Sequence, residues 1–510
     1  MDFHFEVHIW GYLGVLGSVK GPLPCAISFL IGCQILPSSH QIMFGFRLPR
    51  IHSKMSRELY SRSHLDTAPP RYNGPFYPLD KSAFQKSIPV LAARVPASQT
   101  SSILRSEVTR KYLIGLPKIR PVVSDPSAPD GDRLVLLGVS DPVELSPESL
   151  KLIESNGNGF THYNLVLDYD YWTTSELLQA ILPEELREGA PVGFAATGHV
   201  AHVNLNDEYL PYKKTIGQLF LDKNKSIRTV VNKLDNIDTQ FRFFQMEVIA
   251  GEPDFIVEHH ESDCRFTFDF SRVYWNSRLH TEHDRIVQSV HPGEVLADVF
   301  AGVGPFTIPA AKKGCAVMAN DLNPASYTYL CQNVKDNEVS DEVRTFCEDG
   351  RNFIRNVFRR VYDTPFPAYT GPKLSKTALR KLQKQTARDK PAIENSTSQD
   401  FKPPRRKIDH FVMNLPDSAI LFLDAFRGVF TDKALREVYS TMPIIHCHCF
   451  TRELELEQAE IDIRQRVEEK LEVSLQGDVE FKKVRSVAPG KEMYCVSFRL
   501  PPEVACNTKE

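Results

Sequence analysis

The feature that most constrains this chain is a change of hydrophobic period at residue 294. EVLADVF (294–300), AVMAND (316–321), EVRTFCEDG (342–350) and HFVMNLP (410–416) are short apolar runs with the character of buried strands. Between them, PFTIPAAKKG (305–314) and PASYTYLCQNVKDN (324–337) carry apolar residues at helical spacing, the first closed by Gly314. Strands alternating with helices of about 10–15 residues wind into a parallel sheet through right-handed crossovers. A doubly wound α/β domain over 278–510 is therefore expected. SVAPGKEMYCVSFRL (486–500) forms its final hairpin, turning at Pro489-Gly490.

Upstream, the pattern is that of smaller α+β units. RLVLLGV (133–139) and YNLVLDYDYW (163–172) predict strands and SELLQAILPEEL (175–186) a helix, which places a small domain at 101–187. PVGFAATGHVAHVNLN (191–206) and FFQMEVIAG (243–251) alternate like strands around TIGQLFLDKN (215–224), which leads into a helix or strand, giving a middle domain at 188–277. Residues 65–100, rich in Pro and Ser without sustained period, predict a linker within an N-terminal extension over 1–100.

Composition limits what lies in that extension. With 42% hydrophobic and 25% charged residues the chain is of ordinary globular type. The apolar runs 10–19 and 25–36 are interrupted by Lys20, Pro22 and Pro24 and fall short of the roughly 20 residues of a spanning helix, so no membrane anchor is expected. From Met43 onward, Arg47, Arg50, His52, Lys54, Arg57 and Arg62 accompany Ser and apolar residues with Glu58 as the only acid. That is the composition of a mitochondrial transit peptide, the bland alternative being a basic tail. Ten scattered cysteines with no C-x-x-C pair argue for a reducing compartment and against a four-cysteine zinc module.

The first strand of the α/β domain runs into DVFAGVGPF, with Asp298, Gly302 and Gly304. Glycine permits a sharp turn and close ligand approach where open α/β sheets bind their ligands, at the carboxyl ends of strands. Asp321 ends the second strand about 20 residues on, where a carboxylate accepts hydrogen bonds from ribose hydroxyls. A dinucleotide site requires a third glycine, but Thr307 stands there behind the bulky Phe306, so pyrophosphate is disfavoured. S-adenosylmethionine, which has ribose and adenine but no phosphate, fits better. Glu348-Asp349-Gly350 at the third strand end offers a carboxylate for the adenine amine. Each motif alone would pass as an ordinary turn; the three in order at successive strand ends do not.

Asn414-Leu415-Pro416 closes the fourth strand, and an Asn there presents both a donor and an acceptor to a planar base. RVYWNSRLHTEHDRIV (272–287) gathers Tyr274, Trp275, Arg278, Glu282, His283 and Arg285, a mixture suited to stacking and phosphate contact in single-stranded RNA. The structural alternative is a domain interface with an i,i+4 pair between Arg278 and Glu282. IIHCHCF (444–450) puts His446 and His448 on one face and Cys447 and Cys449 on the other, with no ligand set of zinc-like spacing, so no metal is expected.

The ordered set DVFAGVGPF, ANDLNP, EDG and MNLP, preceded by FRFFQMEVIAGEP and VYWNSRLHTEHDRI, resembles the eukaryotic and archaeal tRNA (guanine-37, N1)-methyltransferases over about 190–500. The resemblance implies a class I (Rossmann-like), S-adenosylmethionine-dependent methyltransferase domain preceded by smaller RNA-binding domains. It implies Glu282 as the general base for the N1 proton, Arg242 as the cation that stabilises O6, and Asn414 as the group that orients the base. His283, Asp298, Gly302, Gly304, Asp321, Leu322, Asp349, Gly350 and Asn414 would line the cofactor, and Tyr274, Arg278 and Pro416 would touch RNA. It further implies that the small domain reads the folded corner of tRNA while the other domains clamp the anticodon loop. The chain would act as a monomer without an obligate protein partner, in mitochondrial matrix, nucleus and cytoplasm. The nearest alternatives are a transferase that moves the aminocarboxypropyl group of the same cofactor onto a modified guanosine, and a catalytically silent tRNA-binding protein.

The formal charge of -3 excludes a uniformly basic coat but conceals an asymmetry. Residues 373–407 hold 11 Lys+Arg against 3 Asp+Glu, a net of +8, so the rest of the chain carries -11 (-3 minus +8). Such a segment cannot bury enough apolar surface to form a core, but its field attracts polyanions. Deleting 373–400 is expected to raise the KM for tRNA and flatten its salt dependence; kinetics unchanged across a salt series would reject an RNA-steering role.

Overall fold

A computed structural model describes residues 65–128, 131–237, 244–371 and 403–507. The targeting stretch before residue 65, Arg242 and most of the basic insertion lie outside these residues. The described chain divides into two compact units, one of Val90–Tyr163 and the other of Leu65–Pro89 with Asn164 onward.

The first unit is built on a sheet of β1 (Lys86–Pro96), β2 (Val122–Ser124), β3 (Asp132–Leu136) and β4 (Phe160–Leu167), in the order β2-β3-β1-β4. β1 and β2 each pair antiparallel with β3. Helices α1 (Thr100–Arg105), α2 (Glu107–Arg110) and α3 (Pro147–Asn156) complete it, with Leu91, Val95, Ile103, Leu113, Val135 and Ile153 in the core. The expected linker over 65–100 is corrected here: β1 begins at Lys86 and buries Ile88, Val90, Leu91, Ala92, Ala93 and Val95. Pro89 and Pro96 disguised it, since Pro interrupts a strand pattern yet is tolerated where its position needs no ladder donor. Arg110, Lys111, Lys118 and Arg120 are all exposed.

The second unit opens with α4 (Thr174–Ile181), whose N-cap Thr173 forms a capping box with Glu176. A four-stranded sheet follows: β5 (Ala195–Thr197), β6 (Val200–Val203), β7 (Thr229–Ile237) and β8 (Phe244–Gly251), in sequence order. Helix α5 (Lys213–Lys223) crosses between β6 and β7, which are parallel. Gly217 lets it approach β8 closely, because a Cβ there would lie 2.9 Å from Ile249. Next comes a hairpin that the sequence pattern did not reveal, β9 (Ile256–Glu261) with β10 (Cys264–Asp269), turning on Ser262 and Asp263 at positive φ.

The α/β domain is a seven-stranded sheet of β11 (Val295–Asp298), β12 (Ala316–Asn320), β13 (Val343–Phe346), β14 (His410–Met413), β15 (Ile444–Thr451), β16 (Val479–Ala488) and β17 (Lys491–Arg499), in the order β13-β12-β11-β14-β15-β17-β16. All neighbours are parallel except β17, which is antiparallel to both β15 and β16. The helices are α6 (His280–Ser289), α7 (Thr307–Lys313), α8 (Pro324–Asp336), α9 (Gly350–Asp363), α10 (Lys433–Val438), α11 (Leu456–Leu471) and α12 (Pro502–Cys506). No helix among the described residues is long and apolar enough to cross a membrane.

Two cores clamp this sheet. One holds α9 through Phe353, Ile354, Val357, Phe358 and Val361, a helical stripe, against Phe411, Phe426, Phe430 and Tyr439. The other joins Leu296, Val317 and Ala319 of the sheet to Ile286 and Val287 of α6, to Phe266 and Phe268 of the hairpin, and to Val200 and Val231 of the preceding sheet. Packing therefore continues across residues 277 and 278, where a domain boundary was expected, because the hairpin and α6 share one apolar layer. Phe358 touches four aromatic rings at centroid distances of 5.0 to 6.4 Å. Phe358→Ala is expected to cost about 3–5 kcal/mol, seen as a lowered denaturant midpoint; a loss under about 1 kcal/mol would show that this layer collapses around the cavity.

Candidate active site

Because the strand order reverses between β11 and β14, the loops after these two strands leave in different directions and open a crevice at their carboxyl ends. Backbone bonds hold its floor: Val299 N donates to Val412 O at 3.0 Å and Ala301 N to Asn320 O at 2.8 Å. The turn that follows β11 needs its glycines, with φ of 56° at Gly302 and 101° at Gly304. At Gly302 a Cβ would meet nothing within 4 Å, so conformation and not crowding demands glycine there.

Asp321 ties this turn to the end of β12. Its Oδ2 accepts from Gly302 N at 2.8 Å and its Oδ1 from Asn323 N at 2.9 Å. Burial pushes its carboxyl up to about 6, against the pull of those two amides. One lone pair of each oxygen is thus committed to the loop, which aims the carboxylate and leaves its remaining acceptor capacity for a ligand. Leu322 beside it is 43% exposed and offers an apolar edge. Asp298 is fully buried and accepts from Thr307 Oγ1 at 2.8 Å on Oδ2, while its Oδ1 has no hydrogen-bond partner by distance and angle among the described residues.

At the third strand end the acids carry structural duties. Asp349 Oδ1 caps α9, accepting from Arg351 N at 2.9 Å and Asn352 N at 3.3 Å, and Glu348 pairs with Arg360. Gly350 is required by contact, since a Cβ would lie 2.8 Å from the Phe300 ring. At the fourth, Leu415 O accepts from Ser418 N and Ala419 N at 2.9 and 2.7 Å, curling the chain tightly behind Asn414. Asn414 Oδ1 is buried and accepts no hydrogen bond among the described residues. A buried amide oxygen left so is costly, and a donor from a water or a bound ligand would satisfy it.

Helix α6 delivers the titratable groups. Glu282, 5% exposed, accepts from Arg285 Nε on Oε2 and from Arg285 Nη2 on Oε1, each at 2.8 Å. Its Oε1 also lies 2.7 Å from His448 Nε2 on β15. Burial pushes the Glu282 carboxyl up, but the hydrogen bonds and charges of Arg285 and His448 prevail and hold it at about 2. The alternative i,i+4 pair of Arg278 with Glu282 does not form: the carboxylate turns inward to Arg285 while Arg278 stays exposed. His283, 4% exposed, lies edge-on to Phe306 and donates from Nδ1 to Glu261 Oε1 at 2.6 Å. Glu261, on the unforeseen hairpin, is held at about 2 by His259 and His283 against the upward push of burial.

Of the other expected contacts, Tyr274 is 45% exposed and Arg278 is exposed, both open to a ligand. Trp275 is not: it packs against Phe266 and Phe268 at 5.4 and 5.0 Å between centroids, so it closes a core and cannot stack on a base. Pro416 is half-buried in the turn after Asn414, its carbonyl accepting from Phe450 N at 3.0 Å. The histidine-cysteine strand also proves more connected than its spacing indicated. His448, Glu282 and Cys495 bring ligand-type atoms within 4.8 Å of one another. Arg285 occupies both oxygens of that carboxylate, so an arriving cation would meet a guanidinium, and the cluster reads as an ion pair.

A glycine turn after the first strand, acids after the second and third, and the order β13-β12-β11-β14-β15-β17-β16 together define a class I, S-adenosylmethionine-dependent methyltransferase. The TRM5/TYW2 methyltransferase domain model matches residues 257–368, and the TYW2 N-terminal domain model matches 174–254. The chain belongs to the tRNA (guanine(37)-N(1))-methyltransferase family. It is 59% identical to the Coprinopsis cinerea member over 88% of this chain and 98% of that one. With the Schizosaccharomyces pombe member it shares 43% identity over 84% and 94%. Among solved structures, Trm5b of Pyrococcus abyssi superposes with a TM-score of 0.50 at 24% identity, covering 80% of this chain and 99% of that one. The aTrm5–tRNALeu complex gives 0.53 at 20% identity, covering 81% and 100%. These two likenesses speak for the fold.

Burial raises Asp298 from 3.8 to about 7, Asp321 adding to the rise, while the Thr307 hydroxyl and His448 oppose it. The folded chain therefore holds this proton up to about pH 7 and the unfolded chain only to about pH 4. Stability contributed here falls as pH rises from 4 to 7, and the penalty of a buried charge persists above 7. Asp298→Asn removes the titration, so its Tm relative to the parent should be higher at pH 8.5 than at pH 5.5, by the equivalent of at most a few kcal/mol. A pH-independent difference would refute the assignment.

Proposed function

We propose that this chain transfers the methyl group of S-adenosylmethionine to N1 of guanosine 37 in the anticodon loop of tRNA. The observation that carries the reading is the buried Asn414 Oδ1, without a hydrogen-bond partner among the described residues, at the end of β14 next to β11, together with an ionised Glu282 bonded to His448 on the adjoining β15. The residues fit the cofactor: Gly302, where a Cβ would project into open space, lets it approach the turn, Asp321 would accept from the ribose hydroxyls, and Leu322, Asp349, Gly350 and His283 would line the adenosine and methionine ends. Bound there, S-adenosylmethionine supplies an electrophilic methyl group on a sulfonium.

The chain's own work is orientation and proton removal. Asn414 holds the base edge, with its oxygen accepting from a base N–H. Glu282 accepts the N1 proton as the N1–CH3 bond forms and the S–CH3 bond breaks, with no covalent enzyme intermediate. Negative charge develops on O6, and by the family resemblance Arg242 is the cation placed to meet it. Exposed Tyr274 and Arg278 meet the RNA beside the crevice, with Pro416 shaping its rim. Lys233 and Arg278 are close enough that each positive charge, after burial, helps hold down the pKa of His202 at about 4, a basic neighbourhood suited to phosphate. The exposed Arg110, Lys111, Lys118 and Arg120 support a second contact at the folded corner. We further propose monomeric action, and distribution among mitochondrial matrix, nucleus and cytoplasm on the strength of the basic stretch from Met43.

The test is incubation of purified protein with cofactor and unmodified tRNA transcripts bearing G or A at position 37, followed by mapping of the product. A 14-Da-type single methyl addition on N1 of G37, absent from the A37 transcript, is expected; a mass increase of one aminocarboxypropyl group would instead support the transferase reading that the TYW2 N-terminal match leaves in play. Glu282→Gln should lower single-turnover methyl transfer by about 100-fold or more, in the usual range for a positioned base, with cofactor affinity little changed. A full rate in that variant would remove Glu282 from the chemistry.

A further inference from the structure

Arg285 reaches Glu282 from one turn along the same helix, a contact available on any helix surface. His448 is a different matter. It comes from β15, its ring is wholly buried, and its Nδ1 has no hydrogen-bond partner among the described residues. An apolar side chain would fill that place in the sheet without leaving a polar nitrogen unsatisfied. The His448 Nε2 is committed to Glu282 at 2.7 Å, with Cys495 beside the ring.

Without cationic partners, burial would protonate Glu282, and a protonated carboxyl cannot accept the N1 proton. Two cations from two elements keep it ionised, and they divide the work. Arg285 spans both oxygens and fixes the carboxylate plane from within α6, while His448 ties Oε1 to β15 and so anchors the carboxylate to the sheet. Other groups face the pair: Cys495, the register partner of His448 on β17; His446, two residues along β15, which bonds His410 at 3.1 Å; and Asp298 at the end of β11. Burial opposes the charged imidazole, but Cys495 and Glu282 raise His448 to about 10, so it remains a donor through the neutral range.

We propose that His448 is a positioning residue of the methyl transfer, holding Glu282 ionised and aimed at the base. This rests on Glu282 being the base. The experiment is single-turnover methyl transfer from pH 5 to 9, at saturating S-adenosylmethionine and tRNA transcript, for the parent, His448→Leu, His448→Gln, Glu282→Gln and the His448→Leu/Glu282→Gln double variant. His448→Leu is expected to lose roughly 10-fold at pH 8.5, in the range found when a group orienting a reactive ligand is removed, and more at pH 5. The deficit grows as pH falls because the Glu282 carboxyl, freed of one partner, begins to protonate within the assay range. KM for both substrates should stay within about twofold, His448→Gln, whose amide reaches the same oxygen, should recover most of the rate at pH 8.5, and the double variant should be no slower than Glu282→Gln.

A loss equal at every pH, or an additive loss in the double variant, overturns the proposal while leaving the base intact. A full rate for Glu282→Gln overturns the base reading itself, whatever His448 does. Should His448→Leu fail to fold, His448→Gln compared with His448→Asn decides, since the shorter amide cannot reach Glu282; equal rates for those two overturn the proposal.

Discussion

Everything functional here depends on the pairing of Leu296, Ala297 and Asp298 on β11 with His410, Phe411 and Val412 on β14. These strands are neighbours in the sheet although more than a hundred residues separate them in sequence. Their adjacency reverses the strand order and opens the crevice. It also brings Asn414, two residues beyond Val412, beside the glycine turn that starts after Asp298. A slip of one residue in this register would turn Asp298 and Val412 to the opposite faces of the sheet. The two aromatic and aliphatic cores that clamp the sheet therefore serve the site as much as the fold.

The site is electrostatically costly to build. Asp298 and Asp321 are buried near one another, and Glu282 and Glu261 are buried among cations, so one pair of carboxyls is pushed up while the other is held down. Groups whose environments drive their pKa values apart are a mark of chemistry. The division also sorts roles. The raised pair lies along the glycine turn, where neutral or weakly ionised acids suit a nucleoside, and the lowered pair lies at α6 and the hairpin, where cations hold a fixed negative charge.

Much of this was legible beforehand. The alternating strands and helices from 294 onward follow from periods that are nearly context-free, so β11 to β14, α7, α8 and the final hairpin fall where the pattern puts them. Asp321 and the glycines were readable because a turn with φ of 56° and 101° admits few residue types. The hairpin at 256–269 was not, because its strands are partly charged and its turn, Ser262-Asp263, has no glycine. β1 was hidden by two prolines. Trp275 beside arginines looked like an RNA platform, and no local property separates an aromatic ring that stacks on a base from one that closes a core.

The amino-acid sequence by itself determined the class of domain, the glycine turn and the family, since these reside in short motifs in a fixed order at successive strand ends. Only the tertiary structure decided which charges meet. Spacing alone offered Arg278 as one helical neighbour for Glu282, which pairs with Arg285 and His448, and His283 found Glu261 across an unforeseen hairpin. The reason is physical: a backbone period constrains the faces of one element, whereas an ion pair between elements 166 residues apart depends on strand order, on register, and on a desolvation that no local sequence encodes.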